Sequence, residues 1–248
     1  VDKPSTQNLM LLPNPSELQK LCRAISALEA IICPEWEYRY FSYQQDWSET
    51  EEFCGMRNGQ GDQLLILFSQ YGTCINGFAL NSKLNGWKKT NTEQKTIWFK
   101  NLFGLKTKTQ PDLVQDISSG ILNGLPDEFR RFISGEPVKS VGTTFCIWQQ
   151  KSESIWQTGD MNLPDDDYKD GSEELLQLLD GKPFTYKTWA EEYYDEEFAD
   201  RELQLHLVEN IYNGAIITPE LVKAINPALL DFQHLKSELQ EIGYHDKL

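Results

Sequence analysis

From Ser16 to about Ile32, apolar residues recur at spacings of three and four: Leu18, Leu21, Cys22, Ile25, Leu28, Ile31 and Ile32. This pattern predicts a helix with one apolar face. Ser16 and Gln19 stand at capping-box spacing, where each side chain can satisfy a free backbone N–H, and Cys33-Pro34 ends the segment because proline disfavours helical geometry in the residue before it. At Trp36 the period shortens to two. Trp36, Tyr38, Tyr40 and Ser42 would face one side, and Glu37, Arg39, Phe41 and Tyr43 the other. Aromatic residues on both sides predict a strand covered on each face, with Trp36 in the core. Phe53 to Asn58, Gln63 to Ser69 and Thr73 to Leu80 read as further short strands joined by hairpin turns at Asn58–Asp62 and Tyr71-Gly72. In the first turn, Arg57 and Asp62 are placed to pair across the base. A later hairpin spans Thr143 to Gln150 and Ser154 to Gly159.

Between these sheet segments the pattern changes. Asn81 to Gln110 carries seven lysines (Lys83, Lys88, Lys89, Lys95, Lys100, Lys106, Lys108) and one acid, Glu93. It reads as a partly helical surface excursion anchored by Ile97, Trp98, Leu102 and Phe103. Helices are expected over Asp112–Leu122 and Pro126–Ile133, the second with Asp127 and Glu128 at the positive end of its dipole. After Gly159 helical spacing dominates, near Ser172–Leu179, Thr185–Tyr194, Asp200–Tyr212, Pro219–Ala224 and Asp231–Ile242. Thr218-Pro219 is a good helix start. The expected architecture is α+β: an antiparallel sheet, made of a four-stranded meander plus a later hairpin, with an N-terminal helix packed on it and a C-terminal helical subdomain. Residues 1–160 would form the sheet domain with the Lys-rich insertion at 81–110, and residues 161–248 the acidic helical subdomain.

Charge narrows the functional classes. The 248 residues hold 23 Lys+Arg against 38 Asp+Glu, a formal net charge of -15, which repels polyphosphate and argues against general nucleic-acid binding. The longest apolar run, Leu64 to Phe68, is far short of the ~18 residues of a membrane span, so no membrane partner is expected. Five cysteines (Cys22, Cys33, Cys54, Cys74, Cys146) lie among apolar neighbours with no C-x-x-C pair, which gives no support to a zinc or disulfide framework. Val1 to Pro13 lacks the basic end and apolar core of a secretory signal. A reducing, cytoplasmic setting follows as the expectation, and no cofactor is called for.

Several stretches invite chemical readings. In Asp165–Glu174, Asp166 and Asp170 could begin a calcium loop ahead of Gly171, but Tyr168 falls at the second ligand position and Gln177 where a bidentate glutamate belongs. The alternative is a turn entering a helix, capped by Asp170 or Ser172. From Asp165 to Glu202 fourteen acids face four basic residues. Within this run Glu191, Glu192, Asp195, Glu196 and Glu197 cluster around Tyr193 and Tyr194. Carboxylates beside aromatic rings suit a basic protein partner, since charge steers the encounter and the rings supply contact area. The bland alternative is a solvated helical face. Paired carboxylates also serve glycosidases, but among 38 acids some pair meets that spacing by chance. The Gly59/Gly61 pair lacks the lysine-hydroxyl ending and helix of a P-loop. His206, His234 and His245 show no ligand spacing, and His206 reads as a partly buried packing residue. Trp148 and Trp156 are expected in the core, and Trp47, Trp87 and Trp98 on loops.

Four segments taken together resemble an uncharacterised family of bacterial proteins: Met56-Arg57-x-Gly59-x-Gly61-Asp62, Thr143-Thr144-Phe145-Cys146-Ile147-Trp148, Asp170-Gly171-Ser172-Glu173-x-Leu175-Leu176-x-Leu178-Leu179-Asp180-Gly181, and Tyr186-x-x-Trp189-Ala190-Glu191-x-Tyr193-Tyr194. The resemblance covers roughly residues 16 to 244, with Lys88–Gln110 as an extra insertion. It implies a bacterial cytoplasmic protein and brings no assigned activity, so no residue role is carried over. The leading expectation is a non-enzymatic binding protein whose acidic face engages a basic partner, in the manner of immunity proteins. The alternatives are a carboxylate-dependent hydrolase, with or without a divalent metal, and a homodimeric structural module.

Overall fold

The computed structural model describes residues 2–85, 120–160 and 169–248. Most of the Lys-rich excursion, Trp87, Trp98, Asp166 and nearly all of the expected 112–122 helix lie outside them. The first long element is helix α1, Pro15–Ile32. Its cap is Asn14, whose side chain accepts the Glu17 N–H at 3.1 Å, with Pro15 at the first helical position. This corrects the Ser16–Gln19 capping box. The helix starts one residue earlier because proline fixes the φ that the first turn requires.

The sheet is α+β in the expected sense, and continuous. Strands β1 (Phe41–Gln44), β2 (Glu51–Arg57), β3 (Gln63–Ser69), β4 (Gly72–Phe78), β5 (Phe145–Gln150) and β6 (Gln157–Thr158) pair antiparallel in sequence order. The later hairpin joins the meander through β4 and β5, with Ile75 opposite Ile147 and Gly77 opposite Phe145. Gly77 is obligatory there, because a Cβ would stand 2.0 Å from the Phe145 ring. The expected strand from Trp36 starts late: Trp36–Tyr38 is a 3-10 turn, and pairing begins at Phe41. Trp36 is 54% exposed, which corrects its placement in the core, whereas Trp148 and Trp156 are buried.

Alternation sorts the two faces of the sheet. Phe41, Tyr43, Cys54, Met56, Leu64, Ile66, Phe68, Ile75, Phe145 and Ile147 point to an inner face packed against α1 and the C-terminal helices. On the outer face, Cys74, Cys146 and Trp148 meet Ile121, Leu125 and Phe129, the last from helix α2 (Asp127–Ser134), while Phe53 and Leu65 meet Val138 of helix α3 (Val138–Val141). All five cysteines are buried free thiols.

The C-terminal part comprises α4 (Ser172–Leu175), a 3-10 turn at Gln177–Leu179, α5 (Pro183–Tyr193), α6 (Asp195–Phe198), α7 (Leu205–Tyr212), α8 (Pro219–Ile225) and α9 (Phe232–Ile242). The expected helix from Asp200 does not begin until Leu205, after a turn and an irregular stretch, and His206 is exposed rather than packed. Thr218 caps α8 through the Leu221 N–H as expected. Leu207, Val208, Ile211, Val222, Leu235 and Leu239 share one core with α1 and the inner sheet face. Among the described residues no helix is long and apolar enough to cross a membrane.

Candidate functional site

The acidic segment is held in place by a carboxylate that the sequence reading passed over. Glu29 lies on the buried side of α1, four residues after Ile25 and three before Ile32, and is fully inaccessible. Its Oε1 accepts the Tyr186 hydroxyl at 2.8 Å. Its Oε2 accepts the Tyr194 hydroxyl and the backbone N–H groups of Tyr40 and Phe41, the latter two at 3.0 and 3.4 Å. Burial pushes the pKa of Glu29 up, and the four donors pull it partly back. The same burial, with Glu29 close by, raises both tyrosine hydroxyls. One side chain thus ties α1 to the start of β1 and to both ends of α5. A charged residue in core register was the sequence signal for it.

Helix α5 begins at Pro183 and buries Tyr186 and Ala190. Its opposite side then presents the acids. Glu191 turns back into the protein: it pairs with Lys187 at 2.9 Å and accepts the Leu203 N–H at 2.8 Å, while Lys187 also reaches Glu202 at 2.9 Å. Tyr194 is only 8% exposed. These two residues of the expected partner surface therefore turn inward, Glu191 to Lys187 and the Leu203 N–H and Tyr194 to Glu29 of α1. Glu192, Asp195, Glu196 and Glu197 are exposed, and among the described residues none of the four forms a salt bridge. Arg201, the nearest candidate, donates instead to the carbonyl oxygens of Glu197 and Ile225 and lies over the Phe198 ring.

Tyr193 is the aromatic centre of this surface, 36% exposed. Its ring stacks on Trp189 with centroids 4.8 Å apart and meets Tyr40 edge-on at 5.1 Å. Two charged neighbours act on its hydroxyl: after burial, the Glu29 carboxylate raises its pKa and Arg57 lowers it. Arg57 does not pair with Asp62. Its guanidinium lies 4.1 Å over the Trp36 ring and donates to the Trp36 carbonyl at 2.9 Å, while Asp62 accepts from Asn58 and from the Leu80 N–H. Arg57 so holds the exposed turn Glu35-Trp36-Glu37-Tyr38, which leads two residues later into Tyr40 against the Tyr193 ring. That turn adds two more acids and two more aromatic rings beside the expected set. The reading missed them because it placed Trp36 and Tyr38 in a strand.

The calcium-loop residues fare differently. Asp166 lies outside the described residues. Asp170 is buried and fully engaged: Oδ1 accepts the Ser172 N–H and hydroxyl at 2.9 and 2.7 Å, and Oδ2 accepts the Thr6 hydroxyl. Gly171 follows at φ 86°, where a Cβ would stand 2.2 Å from that of Ala79. Asp170 therefore closes the turn that leads into α4, while Gly171 holds the cap position itself, which corrects the expected cap at Asp170 or Ser172.

The site is thus a band of carboxylates and aromatic rings resting on a buried hydrogen-bonded latch. No protein-family model, curated protein or solved structure matches this chain, and the functional reading is built on that geometry.

Proposed function

We propose that this is a non-enzymatic bacterial binding protein, working in a reducing cytoplasm, whose acidic face engages a basic protein partner in the manner of immunity proteins. The observation that carries the reading is the row Glu192, Asp195, Glu196 and Glu197, exposed around Tyr193 without salt bridges among the described residues. Carboxylates left to solvent keep their long-range field, which accelerates encounter with an opposite charge. Tyr193, Trp36 and Tyr38 supply flat, rigid contact area once the partner arrives, at small cost in side-chain entropy. The five buried thiols support the reducing setting.

The test is affinity capture from native lysate with the wild type and an E192K/E196K/E197K variant, at about 0.05 M and about 0.5 M salt. The expected result is a basic protein held at low salt, released at high salt and lost by the variant. Capture that the reversal leaves unchanged defeats the reading.

A further inference from the structure

We propose that the cleft between β1 and α9 is an anchor pocket for a single arginine side chain of the basic partner, a step that rests on the acidic-face reading and extends it. The cleft encloses about 290 Å³, too little for a folded segment but enough for one long side chain. Aromatic residues line it around the β1 edge: Phe41 and Tyr43 from the inner sheet face, Phe53 from the outer one, and Trp36 and Trp47, 54% and 42% exposed. The Trp47 ring is held flat, stacked on Phe53 at 4.5 Å. On the α9 side stand Glu238 and Glu241. Glu241 is exposed and has no salt bridge among the described residues.

Ser26 also lines the cleft, from α1. It is 1% exposed, and its hydroxyl has no hydrogen-bond partner. A buried hydroxyl left unpaired is costly, and such groups in native structures call for an explanation. A guanidinium fits these features together. It is planar, stacks on indole rings, is weakly hydrated, and offers five donors to carboxylate and hydroxyl acceptors. Arg39, also in the lining, does not oppose it: its charge is balanced by Glu238, and it donates to the carbonyl oxygens of Cys33 and Pro34 at 2.6 and 2.7 Å. Trp36 belongs both to this mouth and to the turn that Arg57 holds, and Tyr40, two residues beyond that turn, meets the Tyr193 ring edge-on at 5.1 Å. A partner lying on the acidic face would therefore bring its basic side chains to the pocket entrance.

The probe is N-acetyl-arginine amide, with N-acetyl-citrulline amide as its uncharged isostere and glucose as a neutral ring. The readout is the indole N–H signals of ¹⁵N-labelled protein. The arginine probe is expected to shift the Trp36 and Trp47 signals saturably, with a Kd on the order of millimolar. Citrulline should bind about tenfold more weakly, and Trp47→Ala and Glu241→Gln should each weaken the arginine probe several-fold. Trp47 sits at the surface, so its truncation leaves the core intact, and Glu241→Gln changes no shape. Equal response to citrulline, a response to glucose alone, or no saturable shift overturns the pocket. The acidic-face reading is separated by an octa-arginine peptide and the E192K/E196K/E197K variant. Loss of peptide affinity with retention of the single-arginine response supports both, whereas an unchanged peptide affinity removes the face and leaves the pocket standing.

Discussion

Glu29 is the residue on which the described structure depends most. A fully buried carboxylate with four donors is stable only while all four contacts hold. Glu29→Ala leaves two hydroxyls and two N–H groups unpaired beside a new cavity and is expected to cost about 3–5 kcal/mol in urea unfolding. The pH dependence has a definite sign. Burial raises the folded pKa above the ordinary 4.5, so between those two values the folded state binds more protons than the unfolded one. The stability contributed by Glu29 is present below about pH 4.5 and is lost as pH rises through the folded pKa. Glu29→Gln has no proton to lose. Its stability relative to wild type should therefore improve steadily as urea melts are moved from pH 4.5 upward, and a constant difference would show that Glu29 is not the titrating group.

At the scale of elements, strands and helices with a clean period were legible, and those where a single polar contact decides were not. The Gln63–Ser69 strand appears with the bounds its apolar run implies, because both of its faces are covered. The Trp36–Tyr43 alternation misled, since the Tyr40 and Phe41 N–H groups bond to Glu29 where a strand from Trp36 was expected. The start of α1 was displaced for a similar reason: Asn14 and Pro15 outcompete Ser16 as the cap. In α5, adjacent glutamates that look alike in sequence have opposite tasks. Glu191→Lys places a like charge against Lys187 and strips the Leu203 N–H of its acceptor, an expected loss of about 1–3 kcal/mol. Glu192→Lys should stay within about 0.5 kcal/mol. Parallel urea melts of the two variants check the contrast, and equal losses would place Glu191 on the surface with its neighbour.

Across the whole molecule, the core is assembled from distant parts of the chain. Leu18 to Ile32 and the inner sheet face meet Tyr186, Val208, Val222 and Leu239 in one cluster. A fragment comprising residues 2–160 would keep all six strands of the described residues and lose one wall of that core. Such a fragment is expected to bind the dye ANS and to lack near-UV circular dichroism, the marks of collapse without fixed packing. A fragment with native near-UV signal and a cooperative melt would show that the sheet half stands alone. Which helices cover α1 and the inner sheet face was not legible in the sequence, because periodicity names a buried face without naming what covers it.

Strands β4 and β5 lie side by side, yet the chain leaves one at Phe78 and enters the other only at Phe145. The two ends of this detour are pinned by the fit of Gly77 to the Phe145 ring. Before it rejoins the sheet the chain lays Phe129 of α2 and Val138 of α3 over the outer face. The seam is thus closed by remote parts of the chain, and a one-residue slip there would drive the Phe145 ring against a position that carries a Cβ, so the join itself keeps the two halves of the sheet in step.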